Sequence, residues 1–151
     1  MADTEAARAR SLVVILLVRH GRAGKRGAGG GDDSLRPLDD KGRRQAAALA
    51  DMLAAYPVTR VLTSPFVRCA QTVEPLARRL GIAAEERGEL AEGTPPGPVR
   101  DLLASLDGAT AVVCTHGDII AELIGPGREA KKGSVWVLEG AQLDPVEYLK
   151  V

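Results

Sequence analysis

An uninterrupted apolar run near the start of the chain constrains the fold most strongly. The run LVVILLV occupies positions 12–18 and ends abruptly at Arg19, His20 and Gly21. A short apolar run bounded by charge and glycine predicts a strand that is buried on both faces of a parallel sheet. Open α/β folds bind ligands at the carboxyl ends of such strands. We therefore expect Arg19 and His20 to lie at a binding edge, where Gly21 allows another group to approach closely.

Predicted strands and helices alternate along the rest of the sequence. Asp39 is expected to cap a helix that runs to about residue 55, and Ser64 with Pro65 to start another that ends at Gly81. Shorter helices are predicted at 99–106 and 119–124. Further strands are predicted at 58–63, 82–86, 111–114, 134–138 and 146–151, the last two near a sheet edge. The alternation favours βαβ units and predicts an α/β fold, a three-layer αβα sandwich with a mostly parallel central sheet.

Length and charge limit the organisation and the partners of the chain. A chain of 151 residues predicts one domain, which we place at 11–151 after an N-terminal extension at 1–10. Twenty basic and twenty acidic residues cancel, so no overall charge favours nucleic acid or a membrane surface as partner. The extension contains Asp3 and Glu5, and the apolar run after it is too short to span a membrane and lacks a cleavage site. We expect a soluble, cytoplasmic protein.

The cysteines and the glycine-rich stretch exclude several kinds of site. Cys69 and Cys114 form no CxxC motif, and neither is followed six residues later by arginine, as the loop of cysteine phosphatases requires. With two histidines in all, a structural zinc site is not expected, and we predict no metal and no cofactor. The glycine-rich stretch at 23–36 is interpreted as a mobile loop. It is not a phosphate-binding P-loop, because Lys25 is followed by Arg26 rather than serine or threonine.

Two predicted strands end in the same dipeptide, His-Gly. His20-Gly21 follows the first strand, and His116-Gly117 follows the strand at 111–114. A third strand ends at Ser64 and leads into a helix with Arg68 in its first turn. In a parallel sheet these strand ends share one edge, so both histidines should converge with Arg19 and Arg68. The helix N-termini there would add partial positive charge, and such a pocket suits a phosphate dianion.

These motifs, in this order and spacing, resemble the three signatures of the histidine phosphatase (phosphoglycerate mutase-like) superfamily. The resemblance extends over nearly the whole chain and is closest to the small SixA-type phosphohistidine phosphatases. The chain is also similar to a SixA-like domain that occurs fused to Nudix hydrolases. The motifs that carry these resemblances are Arg19-His20-Gly21, Ser64-Pro65-Phe66-Val67-Arg68 with Gln71-Thr72, Thr115-His116-Gly117, Arg36-Pro37-Leu38 with Gly42, Gln45 and Ala46, Lys132-Gly133-Ser134, and Trp136-Val137-Leu138.

The resemblance implies a covalent mechanism for phosphate transfer. His20 would attack phosphorus, and water would then resolve the phosphohistidine. Arg19, Arg68 and His116 would hold the phosphoryl oxygens, with Gly21, Arg22 and Gly117 completing the substrate-binding set. The proton donor of the superfamily is matched by Glu92 better than by Glu89, although SixA-type enzymes lack an acid there. A solvated loop carboxylate at Glu92 and a surface role for Arg22 remain the alternatives.

The substrate remains open among three classes: a phosphohistidine protein, a phosphorylated small molecule and a nucleotide. Only about fifteen residues separate the third strand from the next helix, where larger members of the superfamily carry covering insertions. This predicts an open site that admits a bulky substrate. A non-catalytic phosphate-binding or protein-interaction domain is the main alternative, and it is disfavoured because a binder needs no nucleophile. A nucleotide-binding module built on the glycine-rich loop is disfavoured by the failed P-loop match.

Overall fold

The computed structural model describes residues 13–26 and 31–151. The N-terminal extension predicted at 1–10, and the middle of the glycine-rich stretch, lie outside the described residues. The described part contains six strands and four α-helices. The strands are β1 (Val14–Arg19), β2 (Arg60–Thr63), β3 (Ala84–Glu86), β4 (Thr110–Thr115), β5 (Val135–Glu139) and β6 (Asp144–Leu149). The helices are α1 (Asp40–Leu53), α2 (Val67–Leu80), α3 (Pro96–Ala104) and α4 (Gly117–Ile124), with 3₁₀ turns at Asp33–Leu35 and Gly88–Leu90.

The strands form one mixed sheet in the order β3-β2-β4-β1-β5-β6. The pairs β3–β2, β2–β4 and β4–β1 are parallel, whereas β5 is antiparallel to both β1 and β6. The predicted, mostly parallel sheet is therefore confirmed, and β5 is the strand that takes part in both antiparallel pairs. In the β1–β4 register Arg19 lies beside Thr115, so the residues after both strands leave the sheet at one level.

Both faces of the sheet are covered by helices, as the three-layer prediction requires. Alternate residues of β1 point to opposite faces. Leu16 and Val18 pack with α1 and α2, while Ile15 and Leu17 pack with α3 and α4. All four side chains are at most 1% exposed, which explains why β1 is a continuous apolar run rather than an alternating one.

Helix boundaries agree with the sequence prediction at some ends and differ at others. Asp39 caps α1 by accepting the Gly42 N–H at 2.8 Å, and Gly81 ends α2 in a left-handed conformation with φ +67°, both as predicted. The prediction that Ser64 caps α2 is wrong, because the cap residue is Phe66. Helix α3 starts earlier than predicted, at Pro96, because proline suits the first helical position. No helix in the described ranges is long and apolar enough to cross a membrane.

Candidate active site

Strands β1 and β4 end side by side in the sheet, and this brings the two histidines of the chain together. The ring centroids of His20 and His116 lie 5.4 Å apart, and the ring planes are inclined by 63°. His20 is 6% exposed and His116 is 1% exposed. Two imidazoles at this separation can contact the same small anion, as the shared strand edge predicts.

The contacts of His20 define which ring nitrogen is available for chemistry. Nδ1 lies 2.8 Å from the carbonyl oxygen of Gly21. Since a carbonyl only accepts, Nδ1 carries the proton in the neutral ring and Nε2 keeps its lone pair. Burial lowers the pKa of His20 to about 3, assisted by the positive charge of Arg68, and the Gly21 hydrogen bond acts in the opposite direction. His20 is therefore a neutral imidazole at physiological pH, with a free nitrogen nucleophile.

The ring of His116 is held by side chains from the ends of β2 and α2. Its Nε2 lies 2.9 Å from the Ser64 hydroxyl oxygen and 3.6 Å from the Cys69 sulfur. The Phe66 ring packs edge-on against it with centroids 4.7 Å apart. Among the described residues, the buried Nδ1 of His116 has no hydrogen-bonding partner. One side of this imidazole is thus fixed, and the other is available to a ligand.

Arg68 is a buried cation bound by two carboxylate residues. The side chain is 1% exposed, and its guanidinium donates to the Asp33 carbonyl at 2.9 Å. Its Nη2 also lies 3.2 Å from a carboxylate oxygen of Asp33 and 3.3 Å from one of Glu92. Its Nε has no partner among the described residues. A buried guanidinium with an unused donor is suited to bind an oxyanion.

The structure places Glu92, and not Glu89, at the pocket. Glu92 lines the cavity that contains both histidines, and its second oxygen accepts from Arg26 at 2.8 Å. Glu89 instead pairs with Arg87 at 3.0 Å. The segment that carries Glu92 is fixed from the sheet, because the Thr115 hydroxyl at the end of β4 donates to the Leu90 carbonyl at 2.7 Å.

Glycines at two positions pack closely against Arg19 and Arg22. A Cβ added to Gly117 would lie 3.0 Å from the Arg19 guanidinium carbon, so a side chain there would displace the Arg19 guanidinium from the start of α4. A Cβ on Gly42 would lie 2.0 Å from the Arg22 carbonyl oxygen. Arg19 Nη1 donates to the Ala130 carbonyl at 2.7 Å, and its buried Nε has no partner among the described residues.

Arg22 lies beside the histidine pocket rather than in it. Its guanidinium pairs with Asp39 at 2.9 Å, and the side chain is 56% exposed. It lines a second, adjoining cavity and is absent from the lining of the cavity around His20. Arg22 shares this adjoining cavity with Arg19, which lines both.

The pocket around the histidines has a volume of about 340 Å³ and mixed charge. Of the expected residues, Arg19, His20, Glu92, His116 and Gly117 line it, whereas Arg68 and Gly21 do not; the other lining residues are Gly24, Arg26, Arg36, Asp118 and Lys132. The connection between β3 and α3 is short, as predicted, yet His20, Arg68 and His116 are nearly buried. Within residues 13–26 and 31–151, no group of three His, Cys, Asp or Glu side chains is arranged to hold a metal ion.

Three contacts of the site were not identified from the sequence. Ser64 was assigned to a helix cap rather than to His116, and Asp33 was assigned to a loop rather than to Arg68. Thr72 accepts from the Gly21 N–H at 2.9 Å and donates to the Arg68 carbonyl at 2.6 Å. The sequence signal for Thr72 was its place in the motif that follows Arg68. Its hydroxyl joins the backbones of two motif residues, Gly21 and Arg68.

Comparisons with known proteins show which family the chain resembles. The sequence model of the histidine phosphatase superfamily (branch 1) matches residues 15–94. An 8-oxo-(d)GTP phosphatase from Mycolicibacterium smegmatis is 38% identical over 139 residues, which cover 82% of this chain and only 43% of that protein. The phosphohistidine phosphatase SixA of Escherichia coli is 31% identical over 142 residues, covering 86% and 85% of the two chains. A solved SixA structure with tungstate aligns with a TM-score of 0.75 at 27% identity, covering 91% of this chain and 96% of the other.

Proposed function

Since the chain belongs to the histidine phosphatase superfamily, in its SixA-like branch, we propose that it hydrolyses its substrate through a phosphohistidine formed on His20. The observation that carries the proposal is the state of the His20 ring. Nδ1 is held by the Gly21 carbonyl at 2.8 Å, and burial lowers the pKa to about 3. The lone pair of Nε2 is therefore available to attack phosphorus at neutral pH.

The buried donors around His20 suit the oxygens of a transferring phosphoryl group. Arg19 Nε, Arg68 Nε and His116 Nδ1 are buried and have no hydrogen-bonding partner among the described residues. Leaving buried donors unpaired costs free energy, and a bound phosphoryl group offers acceptors to all three. Because they are already in place, these donors can stabilise the charge of the transition state with little reorganisation.

Ser64 is a positioning residue in this proposal. If its hydroxyl donates to Nε2 of His116, at 2.9 Å, the proton of that ring resides on Nδ1. The unpartnered Nδ1–H then donates to a phosphoryl oxygen. Ser64 also accepts from the Phe66 N–H at 3.2 Å, which leaves its own proton free for His116.

Glu92 is placed where a proton donor to the leaving group would be needed. In the described structure its carboxylate pairs with Arg68 and Arg26. A phosphoryl group that binds Arg68 competes with this pairing. Glu92 could then take up a proton and deliver it to the departing oxygen.

Water next attacks the phosphohistidine, breaks the P–N bond and releases inorganic phosphate, which restores neutral His20.

We propose a phosphoester or a nucleotide as the substrate, because Glu92 lies in the pocket and the mycobacterial relative is an 8-oxo-(d)GTP phosphatase. A phosphohistidine protein is the second candidate, supported by the likeness to SixA. A domain that binds phosphate without catalysis is the remaining alternative. It does not account for the neutral nucleophilic ring of His20.

The test is a hydrolysis assay on purified protein in EDTA. AMP, ADP, a sugar phosphate and a phosphohistidine protein are offered to wild type, to His20→Ala, and to Arg78→Ala as a surface control, since Arg78 is 76% exposed. We expect phosphate release by wild type and by the control, and a loss of several orders of magnitude in His20→Ala. Tight phosphate binding without turnover of any substrate would favour the non-catalytic alternative instead.

A further inference from the structure

The distribution of lysine in the folded chain is highly uneven. The sequence contains five lysines, and every one of them lines the same cavity, which has a volume of about 560 Å³. Arg19 and Arg22 line it as well. We call this cavity the lysine basin, and its lysines are Lys25, Lys41, Lys131, Lys132 and Lys150.

These lysines come from separate parts of the fold. Lys25 follows β1, Lys41 lies in the first turn of α1, and Lys150 follows β6, while the other two precede β5. The cluster is therefore produced by the tertiary structure and not by a basic run in the sequence. The chain has twenty basic and twenty acidic residues, yet all of its lysines lie on one concave face.

Carboxylates balance only part of this charge. Arg22 pairs with Asp39 at 2.9 Å, and Lys131 pairs with Glu129 at 3.5 Å. Within the described ranges no carboxylate lies within 4.0 Å of the other four lysines. The pKa of Lys132 is lowered by burial and by Arg19, Arg36 and Arg22, against the weaker opposing effect of Asp39. The basin thus carries an excess of positive charge, which a bound anion would relieve.

The lysine basin adjoins the pocket around His20. Arg19, Gly24 and Lys132 line both cavities. Arg19 connects the two cavities, because it is the last residue of β1 and directly precedes His20. A ligand with one phosphate at His20 can therefore extend past Arg19 into the basin without leaving a continuous cationic surface.

We propose that the lysine basin binds the second phosphate of the substrate, so that nucleoside diphosphates and triphosphates are preferred over monophosphates. This inference rests on the proposed phosphohistidine mechanism. The Nε2–phosphorus bond forms as the anhydride P–O bond breaks, and the leaving nucleotide phosphate keeps the electron pair. Water then releases inorganic phosphate from His20. Concave walls and continuity with the pocket favour a small polyanion over the acidic face of a protein.

The kinetic test compares ADP with AMP in two double variants of equal charge change. Lys41→Ala/Lys150→Ala removes two basin lysines that do not line the histidine pocket. Arg78→Ala/Arg100→Ala removes two exposed arginines from other helices, and neither lines the basin. We expect the basin variant to lower kcat/KM about tenfold or more on ADP and at most about threefold on AMP, since it removes charge-assisted contacts made only by the second phosphate. The control should change both values by less than about twofold.

If the basin variant lost as much activity on AMP as on ADP, the inference would be overturned. It would also be overturned if the control variant lost as much activity on ADP as the basin variant, because that result would indicate only bulk electrostatics. A loss confined to a phosphohistidine protein would assign the basin to protein docking and would also overturn it. Each of these results leaves the proposed phosphohistidine mechanism intact.

A binding measurement separates failure of the basin from failure of the mechanism. In the His20→Ala background, calorimetry with pyrophosphate and with inorganic phosphate needs no turnover. We expect pyrophosphate to bind about tenfold more tightly, and Lys41→Ala/Lys150→Ala to abolish most of this difference. The difference should also shrink with added salt. A pyrophosphate preference that survives the double variant would contradict the proposed subsite, even if no phosphoester were hydrolysed.

Discussion

The hydroxyl oxygen of Ser64 lies 2.9 Å from Nε2 of His116, and both side chains are at most 1% exposed. The contact joins the end of β2 to the end of β4, two neighbouring strands whose parallel pairing aligns Thr63 with Cys114. The geometry of the pocket around His20 therefore depends on a residue that does not line it.

Replacing Ser64 should impair catalysis through His116. In Ser64→Ala the imidazole loses its fixed proton arrangement, and we expect kcat to fall about tenfold or more with a smaller change in KM. Removing a buried hydrogen bond should also lower the free energy of unfolding by about 1–3 kcal/mol. Ser105→Ala, which removes a hydroxyl that donates to the Leu102 carbonyl in α3, is the control. A loss of stability with unchanged kcat would leave Ser64 with a purely structural role.

Lysine at position 68 should not replace arginine. Arg68 contacts Asp33 and Glu92 from a nearly buried position, and a lysine ammonium cannot reproduce the planar fork. We expect Arg68→Lys to lower kcat/KM by about 100-fold or more, while Arg78→Lys on the exposed face of α2 has no effect. Steady-state kinetics decide the point. Activity of Arg68→Lys within about threefold of wild type would mean that Arg68 does not bind the phosphoryl group.

The role of Glu92 should depend on the leaving group. An alkoxide has a conjugate acid with a pKa of roughly 15.7 and needs a proton, whereas imidazole, at roughly 6.5, departs without one. We expect Glu92→Gln to slow alkyl phosphoester hydrolysis about 10²- to 10⁴-fold and to spare a phosphohistidine protein. Glu89→Gln, which alters a carboxylate paired with Arg87, should affect neither. Equal losses on both substrates would assign Glu92 to binding or folding.

Burial of His20 should make the fold sensitive to acid. Because its pKa is lowered from 6.5 to about 3, the unfolded chain binds a proton between these values and the folded chain does not. The contribution of neutral His20 to the free energy of unfolding is therefore fully present above about pH 6.5 and is lost as the pH falls towards 3. At pH 5 we expect a loss of about 2 kcal/mol that His20→Gln does not show. Urea unfolding of both proteins at pH 7.5 and pH 5 measures the difference. Equal losses in the two proteins would contradict the assigned state of His20.

Much of the fold and of the central site follows from local patterns in the sequence. The apolar run that forms β1 has no alternation because both of its faces are covered, and the same logic identified β4. Once both strands are parallel neighbours, His20 and His116 must leave the sheet at one edge. Arg68 reaches the same edge, because it lies at the start of the helix that follows β2, and β2 is parallel to β4. Periodicity and strand direction were sufficient for these placements.

The contacts that the sequence did not predict are long-range. Ser64 precedes a proline and fits a helix-cap pattern, but its hydroxyl is used by His116, 52 positions away. Asp33 lies in a glycine-rich stretch, and its carbonyl binds Arg68, 35 positions away. The lysine basin gathers side chains from both ends of the chain. No local pattern carries such information, because each contact is fixed only when the sheet order is known.

Phosphate transfer to His20 is the central claim, and trapping the intermediate tests it most directly. Wild type is mixed briefly with radiolabelled substrate, quenched in alkali to preserve phosphohistidine, digested and mapped by mass spectrometry, with EDTA present throughout. We predict label on the peptide that contains His20, none in His20→Ala, and retention of label in Arg78→Ala. Label on any other residue, or turnover by His20→Ala at the wild-type rate, would contradict the mechanism.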